Sequence, residues 1–162
     1  MRTEHTGNSE NSVRSFNDAV HGTVEAQIDD VVLARTDGVP AYNLAVVVDD
    51  ALQGIRQVVR GDDLLTSTPR QMLIGELLGL PTMSYAHIPL VLNAERKRLS
   101  KRDGAVTLND QLALGREPGE VLARLGASLG LCDASEPTTP RELIGAFEIA
   151  KLPTEPWVFT DV

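Results

Sequence analysis

An α/β fold is the reading that three features of this sequence support. Short apolar runs at residues 44–48, 55–59 and 87–92 are bounded by turn residues and have strand length. A helix with a legible start, Thr68-Pro69, lies between the second and third runs. Everything beyond Thr107 reads as helix, in segments 108–114, 119–131 and 141–147. The expected architecture is therefore a sheet-and-helix core followed by a small helical region.

Taken in order, residues 1–12 are polar, rich in Asn, Ser, Thr and Glu, and read as a disordered tail. Structured sequence begins at Val13, and residues 29–38 read as a strand closed by the turn Asp37-Gly38. Leu44 to Val48 is uninterrupted apolar sequence ending in Asp49-Asp50, the pattern of a strand buried on both faces. The run 55–59 follows after six residues. A parallel crossover needs about a dozen, so the two runs are expected to form an antiparallel hairpin. Pairing Val48 with Ile55 places Tyr42 near Arg60 at one end of it.

The helix at 68–78 has Thr68 as N-cap, Pro69 in its first turn and Gln71 to complete a capping box. Leu73, Ile74, Leu77 and Leu78 form its apolar stripe, and Gly79 with Pro81 stops it. The strand 87–92 leads to a turn at Asn93–Arg96, and residues 133–140 form a loop between late helices.

Composition narrows the function. Aromatics at 4% are too few for a base-stacking platform. One cysteine, Cys132, excludes an internal disulfide framework and a thiolate zinc cage, and a reducing cytoplasm is the simplest compartment. No apolar run reaches the roughly 18–20 residues that span a bilayer, and the N-terminus lacks a signal-peptide core. The net charge is −8, yet Arg96, Lys97, Arg98, Lys101 and Arg102 oppose only Glu95 and Asp103. A surplus of three cations on an acidic chain marks a local anion site rather than a general polyanion surface.

Four ordered segments carry a resemblance: Ala41-Tyr-Asn-Leu-Ala-Val-Val-Val-Asp-Asp50, Val59-Arg-Gly-Asp-Asp-Leu-Leu-Thr-Ser-Thr-Pro-Arg-Gln71, Ala86-His-Ile-Pro-Leu90 and Arg98-Leu-Ser-Lys-Arg102. The chain resembles the second half of the class I glutamyl-tRNA synthetase catalytic domain, which is Rossmann-like, and the loop at 98–102 is similar to the KMSKS signature of that class. Within the family it most resembles the short branch that glutamylates the queuosine base of tRNA(Asp). Sixty residues beyond Arg102 are too few for an anticodon-reading region, and the ending Leu152-Pro-Thr-Glu-Pro-Trp-Val-Phe159 is similar to that branch's.

The resemblance implies L-glutamate, ATP with Mg2+ and a tRNA, tRNA(Asp) foremost, as substrates, with no zinc site and no membrane partner. It implies that Lys101, Ser100 and Arg98 are catalytic, that Leu99, Ser100 and Lys101 hold ATP, and that Tyr42 and Arg60 hold glutamate. Arg98 stands where the motif has its first lysine, a cation of more rigid shape. The implied organisation is a tail at 1–12, a half-domain at 13–106 and a helical region at 107–162. Smaller roles follow from the residues themselves. Asp62 and Asp63 are expected to cap a helix, Asp49-Asp50 to form a turn and His87 to be structural, while Gly61 fits a strand-ending turn or a close backbone approach to a ligand equally. Cys132 is expected to pack within a late helix and Trp157 to anchor the C-terminus.

The departure from the family is the absence of a HIGH-like tetrad and of the family's zinc-binding insertion. The expectation is an incomplete enzyme, inactive alone, with a separate N-terminal half as a partner. A truncated glutamyl-tRNA synthetase of protein synthesis and a non-catalytic tRNA- or partner-binding module are the alternatives.

Overall fold

The computed structural model describes residues 13–99 and 107–160, which divide into two compact units at the His87–Ile88 bond. The first unit holds a four-stranded sheet in the order β2-β1-β4-β3, built from β1 (Val13–Asp18), β2 (Gly22–Gln27), β3 (Gln57–Gly61) and β4 (Ser84–Ile88). β1 and β2 form an antiparallel hairpin running from Val13 opposite Gln27 to Asp18 opposite Gly22. Gly22 takes the left-handed φ of 69° that this turn requires. β4 joins β1 in parallel, with Asp18 beside Tyr85.

The hairpin was not legible as two strands. In β1 the deeply buried positions are Phe16 and Asp18, so the inward face carries an acid where a strand pattern calls for an apolar residue.

Helix α1 (Tyr42–Leu52) replaces the expected strand at 44–48. A five-residue apolar run does not distinguish a buried strand from a buried helical segment. The β-branched valines carry a helix penalty of only a few tenths of a kcal/mol each. Tertiary packing overrides it: Val47 is buried against Val31 and Ile74, with Leu44 and Val46 packed around them. Asp49 and Asp50 therefore lie in a helix, not a turn. The helix ends where Gly54, at φ 71°, donates to the Ala51 carbonyl and Ile55 to that of Asp50. No hairpin joins the runs at 44–48 and 55–59, and the second strand is β3, two residues later than expected.

Residues 29–38 do not form a strand. They are irregular, with one isolated antiparallel bridge between Ala34 and Pro40 closing the turn at Gly38. Asp62 and Asp63 begin a 3-10 segment, Asp62–Ser67, that runs straight into α2 (Thr68–Leu77). The capping position is Ser67, without a side-chain cap, so Thr68 is not the N-cap and Gln71 completes no capping box. Both side chains are used elsewhere, as shown below. Leu73 and Ile74 are buried as the stripe requires, whereas Leu77 and Leu78 are exposed. Gly79 ends the helix at φ 65°.

In the second unit the run 87–92 is broken at Pro89, which lacks the amide a ladder needs. β5 (Val91–Leu92) pairs in parallel with β6 (Trp157–Val158), so Trp157 ties the C-terminal segment to β5. Arg98 returns opposite Leu92 in an antiparallel bridge. The helices are α3 (Leu108–Ala113), α4 (Pro118–Ser128) and α5 (Pro140–Ala146). Each starts with a reciprocal capping box: Thr107 with Asp110, Glu117 with Glu120, and Thr139 with Glu142. Cys132 lies past the end of α4 rather than within a helix, where its thiol donates to the Ala123 carbonyl at 3.4 Å. Among the described residues no helix is long and apolar enough to cross a membrane.

Candidate functional site

Arg60, near the end of β3, is the centre of the polar chemistry in the first unit. Its Nε donates to Nε2 of His87 at 3.0 Å, its Nη1 to Oε1 of Gln71 at 2.7 Å, and its Nη2 to Oγ1 of Thr68 at 2.8 Å. Its guanidinium also lies over the Tyr85 ring, 5.6 Å from the centroid. A guanidinium has five N–H groups. Three are engaged among the described residues, leaving one on each terminal nitrogen.

The acceptors are themselves fixed. Thr68, Gln71 and His87 are all buried, His87 at 0% exposure. Gln71 passes the network on, donating from Nε2 to Oδ1 of Asn43 at 2.9 Å. Asn43 is the second residue of α1, directly after Tyr42. Helix α1 is thus linked to Arg60 through Gln71.

Behind His87 stands Asp18, which the sequence reading did not single out. Its Oδ1 accepts from the backbone N–H groups of Val20 (3.0 Å) and His21 (3.1 Å). Its Oδ2 accepts from the backbone N–H of His87 at 3.1 Å and faces His87 Nδ1 at 2.7 Å. The only available signal was an acid at an inward position of an alternating strand. Burial alone would raise the Asp18 pKa. The hydrogen bonds from the His87 ring and the backbone outweigh it and hold the carboxyl below its ordinary value. Burial, assisted by the nearby Arg60 charge, pushes His87 down despite its bond to Asp18. Burial raises Tyr85 against the opposing pull of Arg60.

Phe16, Tyr85 and His87 wall this network. Tyr85 and His87 stack with centroids 6.1 Å apart, and Phe16 meets both edge-on at 6.1 and 6.4 Å.

Tyr42 opens α1 and is exposed. Arg60 and Tyr42 are not the hairpin-end neighbours the strand reading required, and no hydrogen bond among the described residues joins them. Gly61 has an ordinary extended backbone. In the second unit, Asn93 accepts from Arg96 N and Lys97 N and turns the chain, with Arg96 at a left-handed φ of 58°. Leu99 N then donates to the Val91 carbonyl at 2.9 Å, so Arg98 and Leu99 run alongside β5. Ser100 and Lys101 lie outside the described residues.

Residues 6–161 match the family model described as tRNA synthetases class I (E and Q), catalytic domain, and the chain belongs to that family. It is 61% identical over 144 residues to the glutamyl-Q tRNA(Asp) synthetase of Nocardia farcinica, covering 89% of this chain and 45% of that protein. It is 50% identical over 127 residues to the enzyme of that name from Symbiobacterium thermophilum, covering 78% and 39%. The glutamate–tRNA ligase of Trichlorobacter lovleyi is 40% identical over 151 residues, covering 90% and 32%. The crystal structure of a glutamate tRNA ligase from Elizabethkingia meningosepticum in complex with its amino acid aligns with a TM-score of 0.70 at 26% identity. That alignment covers 91% of this chain and 34% of the ligase. The chain therefore spans less than half the length of the curated relatives it matches.

Proposed function

We propose that this chain serves ATP-dependent activation of L-glutamate and its transfer to the queuosine base of tRNA(Asp), a tRNA modification of the cytoplasm. The observation that carries the reading is the Arg60 guanidinium. It is held on three acceptors and retains one N–H on each terminal nitrogen with which to meet a carboxylate. The identities of 61% and 50% to two glutamyl-Q tRNA(Asp) synthetases, against at most 46% to the glutamate–tRNA ligases compared, favour the modification reaction over protein synthesis.

The chemistry is attack of a glutamate carboxylate oxygen on the α-phosphorus of ATP, with pyrophosphate leaving. Arg60 and Tyr42 orient glutamate. Lys101 supplies a mobile point charge to the phosphates as negative charge shifts onto the leaving group, and Ser100 supplies a hydroxyl. Arg98 adds a second cation, and Leu99 holds ATP together with Ser100 and Lys101. Mg2+ enters with ATP as part of that substrate. The relatives' reaction belongs to chains of which this one covers less than half, so we assign this chain a share of the site rather than the whole of it.

The test is a chimera in which these 162 residues replace the matching region of the Nocardia farcinica synthetase. Glutamate-dependent ATP–pyrophosphate exchange by the chimera, lost at least about tenfold on Lys101→Ala or Arg60→Ala, is the expected result. Full exchange in both variants overturns the residue roles. Glutamylation of tRNA(Glu) instead of queuosine-bearing tRNA(Asp) moves the protein to the glutamate–tRNA ligases.

A further inference from the structure

We infer that Asp18 and His87 are positioning residues for Arg60, and that the protonation pattern of His87 decides whether Arg60 faces an incoming carboxylate correctly. The inference rests on the reading of Arg60 as the glutamate-binding cation.

The hydrogen-bond chain has one consistent polarity. Nε of Arg60 is only a donor, so Nε2 of His87 must carry a lone pair at the 3.0 Å contact. A neutral imidazole then has its proton on Nδ1, which donates to Asp18 at 2.7 Å. Each partner of the Asp18 carboxylate among the described residues is then a donor: Val20 N, His21 N, His87 N and His87 Nδ1. An ionised carboxylate is the group that satisfies all of them. Protonating Nε2 would set N–H against N–H at Arg60.

The backbone turn after β1 thus holds Asp18, Asp18 fixes the tautomer of His87, and His87 anchors the inner edge of Arg60. Thr68 Oγ1 lies 3.1 Å from the same Nε2 and accepts from Arg60 Nη2, so the inner edge has two neighbouring anchors. Neither Asp18 nor His87 is accessible to substrate, since both side chains have 0% exposure. Their effect on binding must pass through Arg60. A buried polar chain so fully satisfied confers a single geometry on its last member.

The experiment uses the 15N-labelled 162-residue chain. Long-range proton–nitrogen correlation of the imidazoles, assigned through a His87→Gln variant, is expected to show His87 as the neutral Nδ1–H tautomer near pH 7. The Arg60 side chain is expected to show a slowly exchanging Nε–H. Asp18→Asn, which places an amide N–H2 among four donors, is expected to shift the tautomer and speed Arg60 exchange. In the chimera the same substitution is expected to weaken L-glutamate binding by at least about tenfold, the low end for a charge-assisted bond. An Nε2–H tautomer or an imidazolium in the unmodified chain overturns the inference, a measurement that needs no folded variant. So does Arg60 exchange indifferent to Asp18→Asn in a folded protein. If the 162-residue chain shows the expected tautomer but the Arg60 signals of the chimera ignore added L-glutamate, the glutamate reading of Arg60 is refuted and the positioning chain stands.

Discussion

Gln71 accepts from Arg60 through Oε1 at 2.7 Å and donates to Asn43 through Nε2 at 2.9 Å. One buried amide thereby ties the end of β3 to the first turn of α1. Both of its polar atoms are engaged, and the side chain is 2% exposed. The residue that seemed placed to cap α2 instead joins the two segments that carry Tyr42 and Arg60.

Replacing Gln71 by Leu is expected to destabilise the chain by about 1–3 kcal/mol, because Asn43 loses a donor and one buried Arg60 N–H loses its acceptor. Urea denaturation measures this, and a midpoint equal to that of the unmodified chain would show the amide to be energetically idle.

Arg60→Lys keeps the charge but has no planar fork to span Thr68, Gln71 and His87 together. Glutamate KM in the chimera is expected to rise about tenfold or more, with stability lowered as well, since two acceptors lose their donor. Unchanged KM would show that only the charge at this position matters.

Stability is expected to fall on mild acidification. His87 has a folded pKa below its unfolded value near 6.5. An unfolded chain therefore takes up a proton there that the folded chain refuses, and stability declines as pH drops through 6.5 toward the folded value. Asp18 has the opposite charge and the same consequence at lower pH. Its stabilisation is complete above the unfolded value of 3.8 and is lost as pH falls through its depressed folded pKa. Urea midpoints measured from about pH 7.5 to about pH 5 should decrease, and a flat profile in the unmodified chain would contradict a buried neutral His87.

Two glycines in the second unit should respond oppositely to alanine. A Cβ on Gly126 would lie 2.6 Å from Leu143 Cδ2 and 2.7 Å from Cys132 Sγ, so Gly126→Ala is expected to cost about 1–2 kcal/mol despite the better helix former. A Cβ on Gly145, in α5, meets nothing within 4 Å, and Gly145→Ala is expected to stabilise by about 0.5–1 kcal/mol. Thermal midpoints of the two variants decide this, and a shared sign would show the packing around Gly126 to be looser than its contacts imply.

The sequence by itself determined the family, because four segments occur in order with chemically demanding residues at set positions. It also located the C-terminal helices within a few residues, since helical signals such as Pro140 at the start of α5 are local. Tertiary structure decided the state of Leu44–Val48, where five apolar residues fit a strand or a helix equally and only packing against Val31 and Ile74 selects the helix. It alone revealed Asp18, 69 residues from His87 in the chain, because a buried acid declares its role through a partner that local pattern does not reach. It also reassigned Thr68 and Gln71 from capping to holding Arg60: a hydroxyl or amide makes the bond whose geometry the whole fold presents, not the one its sequence neighbours offer.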